Sequence, residues 1–136
     1  MSIRWDPALA MGVPDIDRQH KEIFARLDAL LYAIRGGSSR EEVGRTLAFL
    51  SDYVVTHFRA EEDLMRDTGF MGFSTHRAEH ERFVRDLAVL RTEHARDGAS
   101  PSLVLRVNSR VSEWLREHIQ RADRDLAEHL HARERN

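Results

Sequence analysis

Residues 40–67 read REEVGRTLAFLSDYVVTHFRAEEDLMRD, and one face of the stretch carries Val43, Leu47, Leu50, Val54, His57, Glu61 and Leu64 at three- and four-residue steps. That period is the signature of an amphipathic helix. Ser38 or Ser39, followed three residues later by Glu41 or Glu42, opens it as a capping box. Two positions of the otherwise apolar face hold an imidazole and a carboxylate. Polar groups placed in a core need strong partners, so the pattern asks what satisfies them.

Working outward, the same period recurs on either side. Ile23, Leu27, Leu30, Leu31 and Ile34 form a stripe that His20 extends by one step and that ends at Gly36-Gly37, suited to a left-handed C-terminal cap. Beyond residue 67, a break from Gly69 to Ser74 precedes a stripe of His76, His80, Phe83, Leu87 and Leu90, with Ser74 as the expected N-cap. After Gly98-Ala99-Ser100-Pro101, with serine as N-cap and proline in the first turn, a last stripe runs through Leu103, Val107, Val111, Trp114, Leu115, His118, Ala122 and Leu126. The spacing predicts four helices, over about 17–35, 40–67, 75–97 and 101–131. Short connections favour antiparallel neighbours, so the expected fold is all-α: one domain over 1–136, an up-down-up-down four-helix bundle. Residues 1–16, with Trp5, Gly12 and Pro14, read as an N-terminal arm lying on it, and Arg133 to Asn136 are expected to fray.

A chain of 136 residues with 41% hydrophobic and 32% charged residues suits one compact domain. Its net charge is −2 and its basic residues are scattered, which argues against a nucleic-acid partner. The absence of cysteine excludes disulfide scaffolds, thiolate nucleophiles and cysteine-ligated metals. No stretch is long and apolar enough to insert in a bilayer, and Met1-Ser2-Ile3-Arg4-Trp5-Asp6 lacks the form of a secretory leader; a cytoplasmic protein is expected. Against this ordinary background stand eight histidines, most of them on apolar stripes.

His57 and Glu61, like His76 and His80, are four residues apart, about 40° apart around a helix axis. Such pairs have metal-ligand spacing, and His20 and His118 add imidazoles to the same layer from the first and last helices. Burying five imidazoles and a carboxylate without strong partners is costly, whereas a metal uses each imidazole lone pair and leaves the second ring nitrogen for an outer acceptor. Asp123 lies five residues after His118, a step of about 140° in an ideal helix. Either the last helix carries a π-bulge or Asp123 reaches sideways to a second metal. If Glu61 and Asp123 each bridge two octahedral ions that also share a solvent-derived bridge, one coordination position is left open for a small diatomic ligand.

The residues that carry this pattern are Ile16-Asp17-Arg18-Gln19-His20-Lys21, His57-Phe58-Arg59-Ala60-Glu61-Glu62, His76-Arg77-Ala78-Glu79-His80, and Trp114-Leu115-Arg116-Glu117-His118-Ile119 with Asp123 beyond. Together they resemble the hemerythrins in their bacterial single-domain form, in order and over nearly the whole chain. The resemblance implies two iron ions per chain, a non-heme, oxo- or hydroxo-bridged di-iron centre with dioxygen as its ligand. It makes His76, His80 and His118 ligands of one iron, His20 and His57 ligands of the other, and Glu61 and Asp123 bridges. The open position would belong to the second iron. The family often has a proline-containing turn where this chain reads Phe70-Met71-Gly72-Phe73-Ser74-Thr75.

Ile23, Phe58, Trp114, Leu115 and Ile119 fall one helical step from the ligands and are expected to line a dry oxygen pocket on the side of the second iron. His94, His129 and His131 match no ligand position and read as surface residues; Glu62 reads as solvated or paired with an arginine a turn away. The function implied is reversible dioxygen binding, for storage or delivery to an oxygen-consuming enzyme, in a protein that is not itself an enzyme and is expected to be a monomer. A sensor of oxygen, nitric oxide or redox state acting on a partner in trans, and a di-iron peroxidase, are the competing readings. A structural zinc site would leave the donor set under-used.

Overall fold

A computed structural model describes residues 5–98 and 100–135; Met1 to Arg4 of the expected arm, Ala99 and the terminal Asn136 lie outside the described residues. The architecture is the expected one, with no strand among the described residues. Helix α1 spans Pro14–Arg35, α2 Arg40–Asp67 and α3 Phe73–Asp97. The fourth helix, α4, covers residues 101–135 and is built of five consecutive pieces: α-helical Pro101–Arg106, Trp114–His118 and Arg124–Arg135, interrupted by π-helical Val107–Glu113 and Ile119–Asp123. Helix α1 packs on α2, α2 on α3, and α3 on the first half of α4. No helix of the described residues is long and apolar enough to cross a membrane.

The connections are short because each helix end is closed locally. At the end of α1, Ser38 N–H donates to Ala33 O (3.1 Å) and Gly37 N–H to Ile34 O (3.3 Å), with Gly37 at φ +72°. The end of α2 repeats this pattern: Phe70 N–H donates to Met65 O (2.9 Å), Gly69 N–H to Arg66 O (3.3 Å), and Gly69 sits at φ +66°. Both satisfy carbonyls that the helix cannot, through a residue in the left-handed region where glycine is cheapest. Ser39, not Ser38, is the N-cap of α2, accepting from Glu42 N–H at 3.1 Å. Ser100 caps α4, accepting from Leu103 N–H at 3.1 Å.

Three boundaries differ from the sequence reading. Helix α1 begins at Pro14, earlier than expected, because proline's fixed φ suits the first turn. Ser74 does not cap α3: the tight reversal at Gly69 brings the chain back in so few residues that the helix starts at Phe73 after Gly72, without a side-chain cap. Helix α4 runs to Arg135, past the expected end near residue 131, and the Arg133 guanidinium donates to Thr68 O at 3.1 Å.

The arm is ordered over its described part. Asp6 caps a short 3-10 turn, Pro7–Leu9, and Asp17 at the start of α1 accepts from Met11 N–H (2.7 Å) and Gly12 N–H (3.1 Å). Leu9 and Met11 are buried, and the Lys21 ammonium lies 4.6 Å from the Trp5 ring centre. Apolar side chains from all four helices fill the interior, among them Phe24, Leu27, Leu50, Val54, Phe83, Leu87, Val111 and Leu126. This core surrounds a polar layer.

Candidate metal centre

Seven polar side chains are sealed in that layer: His20, His57, Glu61, His76, His80, His118 and Asp123 are each at most 3% exposed. Every helix contributes, and the local geometry explains how. Four-residue spacing in regular helix aims His57 with Glu61, and His76 with His80, in nearly one direction. The five-residue interval from His118 to Asp123 coincides with the π-helical turn Ile119–Asp123, whose slower rotation returns Asp123 to the face of His118. The π-bulge left open by the sequence is therefore present, and Asp123 also spans sideways.

The contacts divide into two groups that share both carboxylates. On one side, His118 Nε2 lies 3.0 Å from His76 Nε2 and 3.2 Å from His80 Nε2. Asp123 Oδ1 is 3.0 Å from His76 Nε2 and 3.3 Å from His118 Nε2, and Glu61 Oε1 is 3.4 Å from His80 Nε2. On the other side, Asp123 Oδ2 approaches His20 Nε2 at 3.1 Å, Glu61 Oε1 approaches His57 Nε2 at 3.2 Å, and the two imidazole centres are 4.8 Å apart. The donor atoms of Glu61, His76, His80, His118 and Asp123 fall within 4.8 Å of one another, as do those of His20, His57, Glu61 and Asp123.

The donor chemistry fits a pair of cations. Both oxygens of Glu61, both of Asp123 and His20 Nε2 are buried without a hydrogen bond among the described residues. Three Nε2 atoms facing one point cannot all be satisfied by protons, since one proton serves one pair of nitrogens and protonating each ring would set like charges in contact. Cations placed among these atoms would accept each lone pair and balance the carboxylates. The outer ring nitrogens support this tautomer at two positions: His57 Nδ1–H donates to Gln19 Oε1 (2.6 Å) and His80 Nδ1–H to Glu62 Oε2 (2.9 Å). Glu79 Oε2 stands 3.9 Å from His118 Nδ1 and is held by Arg121. Contrary to expectation, not every imidazole has such an acceptor: Nδ1 of His20, of His76 and of His118 has no hydrogen bond among the described residues.

Protonation follows burial and neighbours. Burial lowers the His57 pKa to about 4, and burial with the neighbouring His76 and His118 lowers that of His80 to about 2, so both rings are neutral donors at pH 7. Burial, reinforced by Asp123, pushes Glu61 well above the usual carboxylate range. Asp123 would be raised by burial too, but the imidazoles around it, His118 foremost, hold it well below that range.

The five residues expected to line a pocket differ in burial and contacts. Ile23, Phe58, Leu115 and Ile119 are buried, whereas Trp114 is half-buried. Phe58 lies flat on His80, with centres 3.7 Å apart, and 5.9 Å from His57. Trp114 stacks on His118 at 4.5 Å and on Phe83 at 4.2 Å, so its ring contacts fall on the three-histidine side instead of the side expected. Rotation about α4 puts Trp114 four residues before His118, directly above that imidazole.

Sequence reasoning missed several partners. Gln19 and Glu62 each adjoin a donor in sequence, and helical rotation alone would not aim them at His57 and His80, whose rings come from elsewhere in the chain. Glu62 does face an arginine, with Arg77 Nε at 3.8 Å, but its closer contact is His80. None of the three remaining histidines is simply solvated. His94 is buried, with Cε1 3.5 Å from where a side chain on Gly44 would begin; it continues the α3 stripe four residues after Leu90, a signal present in the sequence. His129 Nε2 meets Thr68 O and Oγ1 at 3.1 Å, and His131 Nε2 meets Met11 O at 2.9 Å, so both fasten α4 to other segments.

A four-helix bundle enclosing a nitrogen-rich cluster of side chains that could hold metal defines a distinct class of helical domain. Residues 11–130 match the hemerythrin HHE cation-binding domain, and the chain belongs to the hemerythrin family. It is 37% identical over 109 residues to a bacteriohemerythrin of Methylococcus capsulatus, covering 79% of this chain and 80% of that protein. A bacteriohemerythrin of Stenotrophomonas maltophilia is 30% identical over 128 residues, 94% of this chain and 81% of the relative. In three dimensions the chain is similar to a crystal structure of wild-type hemerythrin, with TM-score 0.79 and 32% identity over 91% of this chain and 94% of that one.

Proposed function

We propose that this protein binds dioxygen reversibly at a non-heme di-iron centre, storing it or passing it to an oxygen-consuming enzyme, and that it is a binding protein with no catalytic step of its own. The observation that supports this most is the pair of donor groups sharing Glu61 and Asp123. Two ferrous ions, when bound there, supply the electrons for reversible oxygen binding and one open coordination position.

The chain's own residues do the rest. His76, His80 and His118 would hold one ion and His20 and His57 the other, with Glu61 and Asp123 placed to serve both. The three-histidine group has one more nitrogen, which favours an open position beside His20 and His57. Gln19 and Glu62 fix the tautomers of His57 and His80 by accepting their Nδ1 protons, which orients each lone pair inward. Ile23, Leu115 and Ile119, all buried, keep bulk water from the layer, and Phe58 clamps the His80 ring. Few anionic donors among many neutral ones stabilise low-valent iron, which suits reversible binding better than oxygen activation.

Anaerobic loading with ferrous iron, followed by metal analysis and visible spectra under alternating air and argon, tests the reading. Two irons per chain and a charge-transfer band that comes and goes are expected. A band that appears once and never reverses would overturn reversible binding and favour a sensor or a peroxidase.

A further inference from the structure

On the outer face of the α2/α3 pair lies a cavity of about 430 Å³, lined by Val55, Phe58, Arg59 and Glu62 of α2 and by residues of α3 that include His80, Val84 and Arg85; the oxygen-binding reading uses its inner wall, Phe58, Glu62 and His80, and leaves its outer part without a role. Its floor is apolar, made by Val55, Phe58 and Val84, while its rim is charged. Arg77 is engaged with Glu81 at 3.2 Å and faces Glu62 at 3.8 Å. Arg59 and Arg85 have no carboxylate partner among the described residues, and both are exposed. Two unpaired guanidiniums above an apolar floor complement a molecule with an anionic head and an apolar body. The volume is within the range of small-molecule pockets, roughly 300–1,000 Å³.

We propose that this groove is a binding site for a small amphipathic organic anion, a monocarboxylate whose head group pairs with Arg59 and Arg85 and whose apolar part lies over Val55, Phe58 and Val84. The site adjoins the polar layer at two points. Phe58, its floor, is stacked on His80, and Glu62, in its wall, accepts the His80 Nδ1 proton. His80 itself also borders the groove, so an occupant reaches an imidazole of the layer, and a carboxylate drawing Arg77 toward itself would free Glu62 to bond His80 more strongly. Only the significance of this last link, through His80 as a metal ligand, rests on the function proposed above.

Calorimetric titration of the full metal-free chain with benzoate, with octanoate, and with the neutral benzyl alcohol and octanol tests the groove. One saturable site for a carboxylate, at least tenfold tighter than for its alcohol and weakened at least tenfold in Arg59→Gln/Arg85→Gln, is expected; tighter binding of benzoate or of octanoate identifies a flat or an extended apolar part. Both replaced side chains are exposed, and the circular dichroism of the variant should match that of the parent. Non-saturating heat, equal binding of acid and alcohol, or affinity unchanged in the variant would overturn the site. In the same metal-free sample, carboxylate binding should move the ring resonances of His80 more than those of His20, and equal shifts would overturn the link to His80. Failure of iron loading would leave these results standing, and failure of carboxylate binding would leave oxygen binding standing.

Discussion

At the scale of single residues, the layer owes its chemistry to orientation more than to identity. An imidazole is a useful donor only when the correct nitrogen carries the lone pair, and Gln19 enforces that for His57 through a 2.6 Å hydrogen bond. Gln19→Leu should keep α1 intact yet weaken iron binding about 10- to 100-fold, the usual cost of losing an outer partner; competition with a chelator would show it, and unchanged affinity would remove Gln19 from the site. Ile119→Ala addresses exclusion of water instead. It should leave two irons bound while the oxygen-bound form decays faster in air, followed by loss of its visible band. Six of the seven candidate donors were legible in the sequence because polar residues interrupted apolar stripes at helical steps, whereas Asp123, five residues after His118, stood off the stripe. Gln19 and Glu62 were not, because their imidazole partners are 38 and 18 residues distant.

At the scale of elements, α4 is the unusual one. Regular α-helix would turn Asp123 away from His118, and sequence spacing alone left a π-bulge and a sideways reach equally open. The π-helical turn Ile119–Asp123 resolves this by adding a residue to the turn. Its register makes a sharp prediction: moving the carboxylate back by one position in the double variant Ala122→Asp/Asp123→Ala should lower iron to one or fewer per chain, measured by metal analysis. Two irons retained would mean that α4 relaxes to an ordinary helix and that the π turn is not required. Caps were readable at Ser39 and Ser100 because a hydroxyl stood before each stripe. The start of α3 was not, because its position is dictated by the Gly69 reversal upstream and no side chain marks it.

At the scale of the whole molecule, the polar layer makes the fold sensitive to pH. His57 and His80 have pKa values lowered from 6.5 to about 4 and about 2, so below pH 6.5 the unfolded chain binds more protons than the folded one. Their contribution to stability is present above 6.5 and is lost as pH falls toward 4, at about 1.4 kcal/mol per pH unit for each ring. Glu61 acts in the opposite sense, since its raised pKa favours the folded state below 4.5 and that gain is lost as pH rises. Two rings outweigh one carboxylate between 4.5 and 6.5. The metal-free protein should lose urea stability on acidification through that window, and bound iron should move the loss to lower pH because it binds only the folded chain. A flat profile for the metal-free protein would contradict this account of the layer. The bundle and its order of helices followed from periodicity. The ties made by His129, His131 and Arg133 did not, because they join segments far apart in sequence and depend on how the helices finally meet.

All three scales converge on one quantity, the amount of dioxygen taken up per chain by the ferrous-loaded protein and returned when the gas is withdrawn. Manometric or oxygen-electrode titration of anaerobically loaded protein should give one dioxygen for every two irons, released under argon with the iron still bound. Uptake of one dioxygen per iron, or uptake without release, would contradict a shared two-ion site that binds oxygen reversibly.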